Sequence, residues 1–490
     1  MNDVQRNPRP YEIPARRRYD AIIIGSGSGG LSAAIGLGRF GRQVLLIERK
    51  HMGGDCTNVG CIPSKSLLHS SHNLGPEPDA PDLVLKHVRT RRDQLREHEL
   101  EEFGGAEGVT FVYGSGRLVS ANEAEILSHD GSSWSAVGDD IILSTGSSAR
   151  RIPIDGLPEN RYLTNEEVFE LTETPQHLAI VGGGPVGLEM AVAFRRLGSD
   201  VTVIEAAQDV VPTALPEASA MLNKALTQQG IVIHTSHFAT AYEASTESLI
   251  LRSSVDDSQQ PLELNAVDKV LVAVGRIPNT ADLGLAEIGV ATNEAGAVVT
   301  NSRGQTSVKG VWALGDMTTS GGTTHFASIW GRRIIQSIVY PRLPIGGEPL
   351  RPTVVFTAPE LAAIGTQPPQ KPQDVVRITV DGSEIDRSFT DEIGLSTMIV
   401  DVRPPTGEIL GATVISPRAG EIISTFSLAM KTGVAFHRWY GTVIPYPSYG
   451  EMITVAVEKY LRAVSDDVGG HTWRWSTGLA ARLADRLFRR

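Results

Sequence analysis

The sequence predicts an α/β chain with two parallel βαβ units of one grammar and a smaller α+β unit towards its C-terminal end. Three observations carry this. Residues 20–48 read as strand, glycine turn, helix and strand in DAIIIG, SGSGG, LSAAIGLGRFG and RQVLLIE. The same order returns at residues 178–205 with LAIVGG, GPVG, LEMAVAFRRLG and DVTVIE. From about residue 350 the composition shifts to alternating strands, TVVFTAPELAAIG and STMIVDVRPPTGEILGATVI, followed by a helix from Glu421 to Lys431. That is the pattern of an α+β domain.

Each βαβ unit holds the parts a pyrophosphate needs. Gly25, Gly27 and Gly30 fit G-x-G-x-x-G, as do Gly182, Gly184 and Gly187. The first glycine permits a tight turn, the second brings bare backbone to phosphate, and the third lets the helix pack closely on the strand. An acid closes each second strand, Glu48 and Glu205, each 18 residues past the third glycine. That spacing suits a carboxylate on a ribose hydroxyl. One such glycine pattern arises easily by chance, but two in full context predict two Rossmann-like dinucleotide-binding domains.

A length of 490 residues suggests three or four domains, at roughly 100–200 residues each. The net charge of −11 argues against a nucleic-acid partner, which demands a basic surface. No apolar run reaches the roughly 18 residues of a membrane span. The first twenty residues carry Arg6, Arg9, Arg16, Arg17 and Arg18 among three prolines, which reads as a flexible tail in place of a signal peptide. The expected compartment is the reducing cytoplasm. The tail HTWRWSTGLAARLADRLFRR, by contrast, reads as a basic amphipathic helix, with Leu479, Leu483, Leu487 and Phe488 on one side and Arg482, Arg486 and Arg490 on the other. Docking on the protein itself is the favoured reading, and contact of 471–490 with a membrane surface is the other.

Only two cysteines occur, five residues apart in GGDCTNVGCIPSK. Such a pair reads as catalytic, as half of a metal site, or as two inert thiols. In a straight helix their Cα atoms would stand about 8.6 Å apart, beyond the roughly 7 Å limit of a disulfide. A bonded pair therefore needs a bend, which Gly53, Gly54 and Gly60 are placed to allow.

GGDCTNVGCIPSK, the two fingerprints, STG at Ser144 to Gly146, GRIPN at Gly275 to Asn279 and ALGD at Ala313 to Asp316 together resemble the pyridine nucleotide-disulfide oxidoreductases, over about residues 18–465. The resemblance implies a tail over 1–17, an FAD domain over 18–155 and 276–348, an NAD domain over 156–275, a C-terminal α+β dimerisation domain over 349–465, and the tail 466–490. It implies that Glu48 holds the adenosine ribose and Asp316 the ribityl chain of FAD. Ser144, Thr145, Gly146 and Gly275 fall on the cofactor-binding loops, and Lys65 and Glu189 form an ion pair beside the flavin. Electrons would pass from NADH via the flavin to a Cys56–Cys61 disulfide, or in reverse, entering at Cys61 and freeing Cys56 as the exchanging thiol. Lys65 and a helix N-terminus would lower a cysteine pKa. Glu205, followed by Ala206 and Ala207 where an NADP enzyme would want arginine, favours NAD(H) over NADP(H). No metal site is assigned, and a homodimer is expected.

One departure stands out. Lipoamide- and glutathione-type members carry His-x-x-x-x-Glu near the C-terminus, whereas here IPYPSYGEMI keeps Glu451 but has Tyr446 at the histidine position. A phenol titrates near 10 and an imidazole near 6.5, so Tyr446 would not become a cationic acid at neutral pH. No cysteine follows Cys61, which excludes the C-terminal cysteine pairs of mercuric and large thioredoxin reductases. Three readings follow: a lipoamide-dehydrogenase-like enzyme acting on a small-molecule or protein-borne disulfide or dithiol, an NADH-dependent reductase of metal ions or quinone-type acceptors, and a redox-sensing or binding flavoprotein without rapid turnover.

Overall fold

A computed structural model describes residues 12–73, 80–256, 258–368, 370–372 and 374–469. The basic helix read over residues 471–490 and most of the N-terminal tail lie outside the described residues. The chain divides into two compact units, Met1–Ala207 with Gly230–Pro349, and Gln208–Gln229 with Leu350–Arg490. The segment Gln208–Gln229, read from sequence within the NAD stretch, groups with the second unit.

The first unit opens with β1 (Arg18–Ile24), α1 (Ser28–Arg39), β2 (Val44–Glu48), α2 (Gly54–Asn58), α3 (Cys61–His72), α4 (Ala80–Gly104), β3 (Val109–Ser120), β4 (Glu123–Ser128) and β5 (Ser133–Leu143). β1 lies between β2 and β5, parallel to both, and the Val311–Ala313 strand pairs parallel to β5. Ile23 and Leu46 are buried against helix residues such as Leu37 and Trp330, and Ile22 and Leu45 against Leu118, Ile126 and Trp134 on the other face, so both faces are covered and these strands are continuously apolar. β3 and β5 are long enough to serve twice. Each runs parallel to its neighbour at one end and antiparallel to β4 at the other.

α1 begins at Ser28, inside the glycine turn and three residues before the first leucine of the helical pattern, because Gly27 takes extended backbone and caps it. The second parallel sheet runs in the order Val232–Thr235, Asp200–Glu205, His177–Val181, Lys269–Val272 and Tyr162–Leu163. The helix Pro185–Arg196 follows the second glycine turn. A short antiparallel ribbon, Ser147–Ala149 with Arg276–Pro278, carries the chain between the two sheets.

The second unit is a five-stranded antiparallel sheet with the helices Ala419–Thr432 and Glu451–Gly469 contributing to its core. The helix Ala419–Thr432 buries Ile422, Ile423 and Phe426 on one face and stops at Gly433, whose left-handed φ of 67° forms its C-cap. On facing strands Arg377 reaches Asp401 with two hydrogen bonds, at 2.8 and 2.7 Å, so the fully buried carboxylate is paired.

Candidate active site

The cysteine segment starts from two glycines in left-handed backbone, Gly53 at φ 88° and Gly54 at φ 60°, where a side chain would be strained. α2 carries Cys56 and ends at Asn58, Val59 and Gly60 break the helix, and α3 starts at Cys61. The bend that the five-residue spacing requires is therefore made by two short helices. Gly60 is needed at the break, since a Cβ there would lie 2.8 Å from the Asp55 carbonyl oxygen. Asn58 fastens the turn from within, its Nδ2 donating to the Met52 carbonyl at 2.9 Å and the Gly54 carbonyl at 2.8 Å.

Both cysteines are partly buried thiols. The hydrogen bond from Cys56 lowers the Cys61 thiol to about 6, with burial opposing and Thr324 and Lys65 assisting. That bond and burial push the Cys56 thiol well above the usual thiol range. Cys61 Sγ lies 3.3 Å from Thr324 Oγ1. Thr324 opens the helix Thr324–Val339 and Cys61 opens α3, so the sulfur belongs to one helix N-terminus and touches another. Positive helix ends favour an anion there.

Lys65, one turn along α3, places Nζ 2.7 Å from Glu189 Oε2, and the Glu189 side chain is 7% exposed. Lys65→Met would take this cation away from that carboxylate. The expected cost is about 1–2 kcal/mol, below the roughly 3–5 kcal/mol of a wholly buried pair, because the lysine is 38% exposed and water screens it. The same change should move the thiolate titration of Cys61 upwards. Thermal denaturation and a pH titration of thiolate absorbance check both, and an unchanged Cys61 midpoint would remove Lys65 from the thiol's environment.

The two glycine turns sort by what a side chain would meet. A Cβ on Gly25 would overlap the Ser144 carbonyl oxygen, and one on Gly30 the Gly25 carbonyl oxygen. Gly182 and Gly187 are constrained likewise, by Ala273 and Gly182. At the middle positions the protein itself exerts no such pressure: Gly184 has nothing within 4 Å of a Cβ, and Gly27 has only Gly54 Cα at 4.0 Å. Both middle glycines cap their helices without a side-chain hydrogen bond. Open space before uncapped helix N–H groups fits a dinucleotide diphosphate.

The two acids are held alike. Glu48 Oε2 accepts from the Ser26 N–H at 2.9 Å and hydroxyl at 2.8 Å, and Oε1 from the Lys50 N–H at 2.7 Å. Glu205 accepts from the N–H groups of Gly183 at 2.6 Å and Ala207 at 2.8 Å. Each carboxylate is oriented and retains lone pairs for ribose hydroxyls.

Ser144 is buried, the Thr145 hydroxyl donates to the Asn279 carbonyl at 2.6 Å, and Gly146 and Gly275 take left-handed φ of 66° and 110° beside open space. Asp316 accepts from the Ser147 hydroxyl at 3.1 Å and the Gly322 N–H at 3.0 Å. Arg276 joins these groups, donating to the Ser147 hydroxyl at 2.7 Å, the Ser147 carbonyl at 2.6 Å and the Asp55 carboxylate. Burial pushes Asp55 up and Arg276 opposes it.

In the second unit Tyr446 is exposed, and its hydroxyl donates to Asp386 Oδ2 at 2.7 Å. That bond, followed by the Asp386 charge, raises the phenol further. Glu451, which the motif pairs with position 446, instead accepts from the Ser448 N–H at 3.3 Å. The partner that the phenol does take stands 60 residues earlier in the chain.

The pattern described as pyridine nucleotide-disulphide oxidoreductase matches residues 19–336, and that family's dimerisation domain matches residues 351–457. The chain belongs to the pyridine nucleotide-disulphide oxidoreductases. Dihydrolipoyl dehydrogenase of Thermus scotoductus is 33% identical over 474 residues, covering 90% of this chain and 97% of that protein. Mercuric reductase of Streptomyces lividans is 29% identical over 472 residues, covering 92% and 98%. The HOCl-induced flavoprotein disulfide reductase RclA of Escherichia coli superposes with a TM-score of 0.80 at 26% identity, covering 90% of this chain and 99% of that one.

As a member of the pyridine nucleotide-disulphide oxidoreductases, this chain is an FAD-dependent enzyme that uses a pyridine nucleotide in disulfide oxidoreduction and carries the dimerisation domain. Among the described residues, no helix is long and apolar enough to cross a membrane. Thr324 and Asp386 escaped the sequence reading, whereas Arg276 lies inside GRIPN and Asp55 stands directly before Cys56, so both carried a signal.

Proposed function

We propose that this enzyme is an NADH-preferring, lipoamide-dehydrogenase-like dithiol/disulfide oxidoreductase whose substrate face has been altered at Tyr446. The observation that carries it is the asymmetry of the thiols: Cys61, placed against Thr324, is held low by the hydrogen bond from Cys56, while Cys56 is held high as its donor. Bound FAD would relay an electron pair between the nicotinamide and the cysteines. Gly25, Gly27, Gly30, Glu48, Ser144, Thr145, Gly146 and Asp316 would hold FAD; Gly182, Gly184, Gly187, Glu205 and Gly275 would hold the nicotinamide nucleotide. Cys61 takes the thiolate role beside Lys65 and Glu189, and Cys56 exchanges with substrate. The working form is a homodimer in which Tyr446 of one subunit faces Cys56 of the partner subunit, and ultracentrifugation finding an active monomer would refute that arrangement.

Glu205 supports the preference for NADH. Its carboxylate, fixed by Gly183 and Ala207, accepts from a 2′-hydroxyl and repels a 2′-phosphate. Wild type should favour NADH in kcat/KM, and Glu205→Arg should shift that ratio towards NADPH by about tenfold or more, the equivalent of roughly 1.4 kcal/mol. A wild type that already favours NADPH would overturn the assignment.

A second reading is supported by Tyr446 itself: a phenol whose proton is engaged by Asp386 is poorly suited to shuttling protons for a thiol. On that reading the enzyme reduces metal ions or quinone-type acceptors directly. Stopped-flow reduction by NADH followed by an acceptor panel separates the two, and fast reduction with turnover of metal ions or quinones but no disulfide favours the second. Slow reduction with no acceptor would point to a redox-sensing role.

A further inference from the structure

Behind the cysteine segment lies a carboxyl group that the reaction as described does not use. Glu99 belongs to α4, which packs against α2 and α3. Its Oε1 accepts from the Thr57 hydroxyl at 3.0 Å, and Thr57, buried, directly follows Cys56. Its Oε2 lies against Gly53, where a Cβ would overlap it. Among the described residues nothing donates to this buried Oε2. Buried polar atoms are nearly always satisfied, and an exception calls for a reason such as a redox role.

We propose that Glu99 is a redox-linked proton-binding residue, taking a proton from solvent when the Cys56–Cys61 disulfide is reduced and releasing it when the disulfide re-forms. This rests on the reading of the two cysteines as the redox pair. The electron pair delivered from the pyridine nucleotide breaks the S–S bond. The one proton that accompanies this pair in the nucleotide's hydride balances the proton that completes the Cys56 thiol, and Cys61 is left as a thiolate. The segment has then gained one negative charge, and a second proton, bound at Glu99, cancels it.

The charged groups around Glu99 leave room for that response. On α4 they are His98, Glu102 and Arg96, and Arg96 is engaged by Asn58 Oδ1 at 2.6 Å and by Asp93. From α2 it is Cys56. Burial pushes the Glu99 carboxyl up, against the lowering hydrogen bond from Thr57. Glu99 in turn pushes the Cys56 thiol up. Cys61, the thiolate that forms on reduction, is hydrogen-bonded to Cys56, so its charge lies one hydrogen bond beyond the sulfur on which Glu99 acts. Coupling between sites runs both ways, and that charge raises the proton affinity of Glu99.

Glu99→Gln is neutral at every pH and so imitates the protonated acid. The test equilibrates the holoenzyme's cysteine pair with a dithiothreitol buffer from about pH 5 to about pH 9, the range in which carboxyl and thiol groups titrate. Wild type and Glu99→Gln should agree at the acidic end. With rising pH the variant should become more readily reduced, by up to about tenfold in the equilibrium constant, or roughly 30 mV for this two-electron couple. Glu99→Asp, still an acid, should keep the wild-type pH dependence, and infrared difference spectra should show a protonated-carboxyl band on reduction that Glu99→Gln lacks. A pH-independent offset, or none, overturns the proposal. If neither protein shows a two-electron thiol couple, the reading of the cysteines fails, and this proposal with it.

Discussion

Replacing Cys61 by serine is expected to abolish the long-wavelength thiolate-to-flavin band that NADH titration develops in the wild type, and to lower disulfide turnover by about 10³-fold or more. The reason is the placement of its sulfur, against Thr324 at the start of one helix and at the start of α3. Cys56→Ser should also lose turnover yet keep the band, since the Cys61 thiolate remains. The two variants should differ in pH response as well. In the reduced wild type the band should grow as pH rises through about 6, where Cys61 ionises. The largest contribution lowering that thiol is the bond from Cys56, so Cys56→Ala, which unlike the serine variant has no donor, should move the midpoint upwards. Absorbance titration of wild type and the three variants decides. A band that survives in Cys61→Ser and vanishes in Cys56→Ser would reverse the two roles.

Tyr446→His should raise dihydrolipoamide oxidation by about tenfold or more, within the roughly 10²- to 10⁴-fold that a positioned acid-base group supplies. An imidazole at this position would stand beside Asp386, which now holds the phenol, and near Glu451, whose charge already acts on it. A carboxylate neighbour orients the ring and stabilises its cation, moving its titration into the useful range. Adding Asp386→Asn to Tyr446→His should remove part of the gain. Steady-state rates with dihydrolipoamide for wild type and both variants check this. No gain, with loss of activity towards the best metal-ion or quinone acceptor, would mean that the phenol positions a different substrate.

Much of this was legible because local sequence and global placement agree. The strands DAIIIG and LAIVGG could only be buried parallel strands once a glycine turn and an amphipathic helix followed each. The first and third glycines of each turn are fixed by carbonyl oxygens close in the fold, a constraint short enough to leave a motif. Lys65 and Glu189 lie 124 residues apart, and only the family resemblance joined them. Thr324, 263 residues from Cys61, and Asp386, 60 residues from Tyr446, left no such mark. Neither spacing nor periodicity reports a contact made by tertiary folding. The helix Pro216–Gln228 was not read from the sequence, and its grouping with the C-terminal unit depends on packing that periodicity does not report.

The strand Val311–Ala313 has a consequence for how the molecule is made. It pairs with β5 in the register Ile141 to Val311, so the first sheet waits for a strand synthesised 170 residues later. At about 5–20 residues per second, translation takes roughly 10–30 s to supply it. Throughout that interval the Ile141–Leu143 end of β5 lacks a partner strand on one edge, while the whole second parallel sheet can assemble from the intervening chain. The later sheet in sequence can thus be finished first, and the earlier one, which holds Glu48, is closed only after the second is complete.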